Sequence, residues 1–335
     1  MSTLKGQPTV VDALRRATQQ KRLGHGLLFL GPSGVGRELA ARLLARGLLC
    51  TADDHEAHLP FGCGTCSSCT RVMSGNHPDV HWVMSEAEQA KRADGKGPDR
   101  PSADLKVEQV RQLVREMRMR PYEGRARVAI VVDAHRMNES ASNAFLKTLE
   151  EPGDASVLIL TAPHVRAVLP TIASRCQRLV FRPLPQDAVA ALLQARGVER
   201  ADERAALAEG SMERALQVDL EEDQGRDAQI EELLEELLQG NVTERLDVIE
   251  RLGRDRQELS QLLSAWEDLL GRTLRRHARG EDVSFLAPLH PRSARLAQRE
   301  IANTKDAIGK NAHAQLAMEE LFLQALSPRV LGRAQ

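Results

Sequence analysis

Aromatic side chains are scarce, with two Trp, one Tyr and six Phe in 335 residues. That excludes the rows of rings on which single-strand nucleic-acid binders stack bases. Net charge is lacking too, because 46 Lys plus Arg nearly cancel 47 Asp plus Glu. No global basic field draws the chain to nucleic acid, so any such contact must be local or shared with partner chains. No run approaches the roughly 18 apolar residues that span a bilayer. The opening Met1-Ser2-Thr3-Leu4-Lys5-Gly6 has no apolar core of a signal peptide. A cytoplasmic location without a membrane partner is the expectation. Cysteines number only five, and in a reducing cytosol a cluster of them asks for a metal rather than a disulfide.

What is present is Leu, Ala, Glu and Arg, a helix-rich composition on a chain long enough for two or three cores. Five short apolar runs, at residues 27–30, 80–84, 128–132, 157–160 and 179–181, have strand length and no polar alternation. Strands covered on both faces read this way, so the first half is expected to be an α/β domain around a parallel sheet. Helical faces lie between them. Val110, Leu113, Val114 and Met117 recur at i, i+3, i+4 and i+7, and Ala141, Ala144, Phe145, Thr148 and Leu149 do so before Pro152. Residues 85–104 contain Gly, Pro and charge and read as a mobile surface insertion. After Pro183 and Pro185 no strand-like run follows. The expected division is an α/β domain at 1–182, a small helical unit at 183–222 and an all-helical domain at 223–335. In the last, amphipathic helices are expected at 259–274 and 316–326, after an acidic stretch at 230–238.

The first apolar run enters Gly31-Pro32-Ser33-Gly34-Val35-Gly36-Arg37-Glu38, the strand, Gly-rich turn and helix start of a phosphate-binding loop. The usual ending, Gly-Lys-Ser/Thr, is here Gly36-Arg37-Glu38. Arg is forked and bulkier than Lys, and Glu38 puts a carboxylate where a hydroxyl would ligate Mg²⁺. A unit charge at about 4 Å in an effective dielectric near 20 repels each nearby phosphate charge by roughly 4 kcal/mol. A loop retained as a structural turn is therefore expected over tight binding of ATP and Mg²⁺. The 128–132 run ends in Asp133, where phosphate-loop ATPases hold Mg²⁺, but the next residue is Ala134, which cannot activate water.

Cys50, Cys63, Cys66 and Cys69 are spaced C-x12-C-x2-C-x2-C, with Gly62 and Gly64 allowing tight turns. Four thiolates suit tetrahedral Zn²⁺, and a site closed by four protein ligands is structural. The nearby His55, His58 and His77 are not needed as ligands and are expected at the surface. Arg111, Arg115 and Arg118 fall opposite the Val110–Met117 stripe. They form either a phosphate-tracking face or a solvated face paired with Glu108 and Glu116.

In order along the chain, Arg120-Pro121-Tyr122-Glu123-Gly124, the run ending at Asp133, Met137, residues 143–152 (NAFLKTLEEP), Leu160-Thr161 and Ser174-Arg175-Cys176 resemble the clamp-loader branch of AAA+ proteins over about residues 6–220. The resemblance implies an AAA+ ATPase-like sheet domain carrying the cysteine module at about 50–69, a helical lid, and a helical collar for oligomerisation. It also implies a nucleotide site at Gly31, Gly34, Gly36, Arg37, Asp133 and Thr161, with Thr161 at the position that senses the γ-phosphate. In Gly210-Ser211-Met212-Glu213-Arg214-Ala215 the lid position usually held by Arg is Glu213. Arg214, one residue along and so turned by about 100°, is not expected to replace it. Arg175, in the Ser-Arg-Cys motif, is implied to act as an arginine finger in a neighbouring subunit's ATP site. The chain thus resembles the non-hydrolysing stator subunit of the branch, a component of the DNA polymerase III holoenzyme. The partners this implies are gamma/tau and delta subunits, the sliding clamp, and primer-template DNA through the assembled complex. A gamma/tau-like active ATPase is the alternative. A zinc-stabilised nucleic-acid-binding module and an AAA+ accessory protein outside replication are further rivals.

Overall fold

The structure, a computed structural model, describes residues 4–93, 101–153, 155–220, 230, 256–278, 280, 291–309 and 312–321. The chain divides into two compact units, Met1–Gln217 and Val218–Gln335.

The first unit is built on five parallel strands: β1 (Gly26–Leu30), β2 (Val80–Val83), β3 (Arg127–Val131), β4 (Ser156–Ala162) and β5 (Gln177–Val180), in spatial order β2-β3-β4-β1-β5. Each coincides with one of the five apolar runs to within two residues at either end. β1 and β3 are buried at every position, which is why neither shows polar alternation. Neighbouring residues along these strands face opposite layers. Leu27 and Phe29 pack with Val128, Ile130 and Ile159 against helices α1 (Pro8–Gln19) and α2 (Arg37–Leu48). Leu28 and Leu30 pack with Ala129, Val131, Leu158 and Leu160 against the opposite layer. Each such Leu, Ile or Phe, fully buried, contributes about 1.5–3 kcal/mol.

Topology decides which helix covers which face. The connection from β1 runs to β2 at the far edge, whereas those from β2, β3 and β4 run the other way along the sheet. A right-handed crossover therefore puts α2 on one face and the later helices on the other. The strand order reverses between β1 and β4, and in open sheets the crevice beyond the carboxyl ends of such strands is where ligands bind.

Residues 85–104 differ from the expected mobile insertion. Residues 86–92 form a helix, α4 (Glu86–Arg92), following α3 (Ser67–Ser74). Ser85 caps it by accepting the Glu88 N–H at 3.2 Å, with Glu86 and Glu88 in its first turn and Lys91 and Arg92 in its last. Arg92 also lies over the Trp82 ring, 6.0 Å from its centre. Residues 94–100 lie outside the described residues. The periodic segments are α5 (Val107–Met117) and α6 (Glu139–Glu150), the latter capped by Asn138, which accepts the Ala141 N–H at 2.8 Å.

A one-turn helix, α7 (Pro170–Ala173), precedes β5, and three short helices follow it: α8 (Gln186–Gln194), α9 (Ala201–Leu207) and α10 (Met212–Gln217). They close over their own small core of Leu184, Val189, Leu193, Ala201, Ala205 and Ala215. In the second unit α11 (Arg256–Ala278), α12 (Pro291–Gly309) and α13 (Ala314–Leu321) bury Leu259, Leu263, Trp266, Ile301, Met318 and Leu321 together. Of the expected segment 230–238 only Ile230 is described, and 322–326 lie outside the described residues. No helix among the described residues is long and apolar enough to cross a membrane.

Candidate nucleotide site and cysteine cluster

The Gly-rich loop leaves β1 at the reversal point, and α2 starts at Arg37 with Gly36 as its N-cap. Gly34 has φ +73° and is crowded: a Cβ there would lie 2.7 Å from the backbone nitrogen of Glu213. Helix α10 and the loop are bonded directly, Met212 N–H donating to the Gly34 carbonyl at 2.9 Å. The loop is tied to β4 by Gly31 N–H on the Ala162 carbonyl at 3.2 Å. Asp133 follows β3 in a left-handed conformation, and its N–H donates to the Thr161 hydroxyl oxygen at 2.9 Å. Asp133 is 3.8 Å from the Arg37 guanidinium and 3.7 Å from that of Arg136. Gly31, Gly34, Gly36, Arg37, Asp133 and Thr161 thus come together at the carboxyl ends of β1, β3 and β4.

Several charges meet there. Arg37 has only 9% of its side chain exposed, and its Nη1 has no hydrogen-bond partner. Burial pulls its pKa down against the raising effect of Asp133, Glu38 and Glu213. Glu38 is paired to Arg92 of α4, so part of the repulsion expected from it is offset inside the chain. Glu213 accepts from the Ser33 hydroxyl and from Lys91. These two donors hold its carboxyl below the usual range although burial opposes them. Arg214 bonds Glu209 at 3.1 Å. Ala134, next to Asp133, is buried.

Arg175 lies at the other end of the sheet. It follows α7 and precedes β5, whose pairing aligns Gln177 with Leu27 near the start of β1. Its side chain is 38% exposed, donates to the Thr171 carbonyl at 2.9 Å and pairs with Glu150 at 2.6 Å. β1 is five residues long; at about 3.3 Å per residue, roughly 17 Å of strand separates Arg175 from the chain's own loop.

The four cysteines converge. The sulfurs of Cys50, Cys63, Cys66 and Cys69 all lie within 4.8 Å of one another, with Cys50–Cys66 and Cys63–Cys69 each at 3.9 Å. A disulfide needs about 2.05 Å, whereas tetrahedral bonds of about 2.3 Å to zinc set sulfurs about 3.8 Å apart. This donor set fits a metal ion. Gly62 makes the approach feasible, since a Cβ there would meet the Arg46 carbonyl oxygen at 2.8 Å and Cys69 Sγ at 3.0 Å. Backbone N–H groups of Cys66 and Cys69 donate to Cys63 and Cys66 sulfurs at 3.4 and 3.5 Å. N–H donation from Thr65 and Cys66 brings the Cys63 thiol down to about 5.

His77 is not a surface residue, being only 4% exposed. Its Nδ1 accepts the Asp79 N–H at 3.1 Å and its Nε2 is 3.0 Å from the Ser68 hydroxyl. Arg111, Arg115 and Arg118 are exposed on α5 and at its C-terminus. Neither Glu108 nor Glu116 forms an ion pair with them; Glu116 instead takes His81 at 2.9 Å and Gln112 at 3.0 Å.

Sequence reasoning missed Lys91, Ser33 and Glu150 as partners of the site residues. The Ser85-x-x-Glu88 spacing was an available signal for α4, and hence for Lys91. No spacing rule brings Glu213 to Ser33.

Residues 6–185 match the model of a protein family, DNA polymerase III, delta subunit. DNA polymerase III subunit delta' of Bacillus subtilis is 33% identical over 183 residues, 55% of this chain and 50% of that one. The delta' subunit of Pseudomonas aeruginosa is 34% identical over 161 residues, 48% of this chain and 44% of that one. Subunit tau/gamma of Haemophilus influenzae is 31% identical over 181 residues, 54% of this chain and 23% of that one. The matched segment spans half or less of each relative. With just over half of its own length covered by the family model, the chain belongs to the DNA polymerase III, delta subunit family.

Proposed function

We propose that the chain is the stator subunit of a replicative sliding-clamp loader. It lends Arg175 to a neighbouring subunit's ATP site while its own loop hydrolyses none. The observation that carries this reading is the separation of the two arginines. Arg37 lies at the carboxyl ends of the strands beside Asp133, and Arg175 at their amino ends beside Glu150. A finger there has no reach to its own loop and is open to a second molecule. In such a site its guanidinium neutralises charge on the transferring phosphoryl group, an effect worth about 10³–10⁵ in rate. On the chain's own side, Ala134 offers no base and Glu38 and Glu213 bring carboxylates to the phosphate position.

The four thiolates would hold one structural Zn²⁺, which fixes the link between α2 and α3 and takes no part in chemistry. The partners are gamma/tau and delta subunits and the clamp, with primer-template DNA reached through the complex. Arg111, Arg115 and Arg118, unpaired by their helix neighbours, are the residues for phosphate contact. Residues 1–182, 183–222 and 223–335 would serve as ATPase-like domain, lid and collar, in the cytoplasm. Reconstitution with delta and gamma/tau tests the reading. The Arg175→Ala complex should assemble and lose most of its DNA-stimulated ATPase; unchanged turnover would remove the finger. An active gamma/tau-like ATPase is the competing reading, favoured by Asp133 and Thr161 meeting at the loop. ATP turnover by the purified chain alone would establish it.

A further inference from the structure

The lid position occupied by Glu213 does more than lack a cation; it delivers an anion. Met212 is bonded to Gly34, and from the next residue the carboxylate reaches down to the loop. There Oε2 accepts from the Ser33 hydroxyl and Oε1 from the Lys91 ammonium. The backbone of Glu213 sits so close to Gly34 that no side chain fits between them. The nine-tenths buried Arg37, whose Nη1 lacks a hydrogen-bond partner, attracts this carboxylate without pairing with it; its Nη2 is 3.8 Å from Asp133. A loop hydroxyl and an ammonium on one oxyanion, with a guanidinium from the same loop close enough to attract it, are elements with which a phosphate loop holds a phosphoryl group.

We propose that Glu213 is an internal anion, seated by Ser33 and Lys91 where a phosphoryl group would otherwise sit, so that it holds lid and loop together and keeps diphosphate and triphosphate out. This deepens the reading above and rests on it in one respect, that the chain's own site is idle. Idleness becomes an occupied state of the loop. Arg37 and Ser33 then retain a capacity for phosphate that neutralising Glu213 should expose.

The test is calorimetric titration of the full-length chain with inorganic pyrophosphate and, separately, with ATP. Wild type is compared with Glu213→Gln, which keeps the shape and removes the charge, and with Glu213→Ala in case the amide folds poorly. The expected result is binding of pyrophosphate at least about tenfold tighter in either variant than in wild type, a gain reduced when Ser33→Ala is added. Equal affinity in wild type and variant, including no measurable binding in any, would overturn the proposal and reduce Glu213–Lys91 to an ordinary surface pair. The two readings fail separately. ATP hydrolysis by wild type would sink the idle site, whereas an inert wild type with Glu213-independent binding would sink only the internal anion.

Discussion

Asp79 is fully buried at the entry to β2 and accepts three successive N–H groups, from Tyr122 at 2.6 Å, Glu123 at 3.1 Å and Gly124 at 2.8 Å. Burial alone would raise its pKa; those donors, with Arg127 nearby, bring it below the usual carboxylate range. A depressed folded-state pKa contributes stability above the unfolded value near 3.9, and that contribution is lost as pH falls through the lower folded value. Asp79→Ala should cost about 1–3 kcal/mol, from N–H groups left without an acceptor. Its unfolding midpoint should also depend less on pH below about 4 than that of wild type, measured by urea denaturation across that range. Glu150 acts at the same scale. It holds Arg175 in the isolated chain, so a finger that enters another site must first let it go. Glu150→Gln is expected to leave assembly intact and to change the ATPase of the reconstituted complex by less than Arg175→Ala does. A loss as deep as that of Arg175→Ala would make Glu150 part of the chemistry. Neither residue's partner was legible beforehand, because Asp79 and Tyr122 are 43 positions apart and no local period connects them.

Among the elements, the five strands were the most legible, since burial on both faces leaves an unbroken apolar signature that composition alone can expose. Helix α4 was the least. Apart from its local Ser85 cap, its support is tertiary, Arg92 resting on Trp82, and the segment has no apolar face to announce it. The cysteine module was legible for a different reason, because ligand spacing is local information. Elemental analysis of the purified chain is expected to give one zinc per molecule. Chelation should lower the unfolding free energy by about 4 kcal/mol relative to free zinc at a thousandfold its Kd. A metal-free preparation with unaltered stability would dismiss the metal. For α5, Arg115→Glu is expected to weaken DNA stimulation of the complex at low salt. The difference should shrink toward 0.15 M, where screening acts within about 8 Å. DNA stimulation that is unchanged at low salt would leave the face simply solvated.

At the scale of the whole molecule, the chain's two tryptophans fall one to each unit, Trp82 in the first and Trp266 in the second. Each unit has its own apolar core, and Trp266 is completely buried in the second. Trp82→Phe and Trp266→Phe variants should therefore report separate denaturation curves with different midpoints. Superimposable curves would mean that the units unfold as one. The helical character of the second unit was legible from amphipathic period, but its packing was not. Among the described residues its helices bury Trp266 in a common cluster, a contact that a single sequence does not encode in any spacing.

The two ends of the parallel sheet give the first unit a direction, with the exposed Arg175 guanidinium at the tails of the strands and the Gly-rich loop at their heads. If, as proposed, molecules join such an arginine to the next molecule's loop, they stack in file, and such a heterologous series either closes into a ring or stops at a member that breaks the relay. On the proposed reading, a chain that gives an arginine but is shut against receiving one would stand at the terminus of that file.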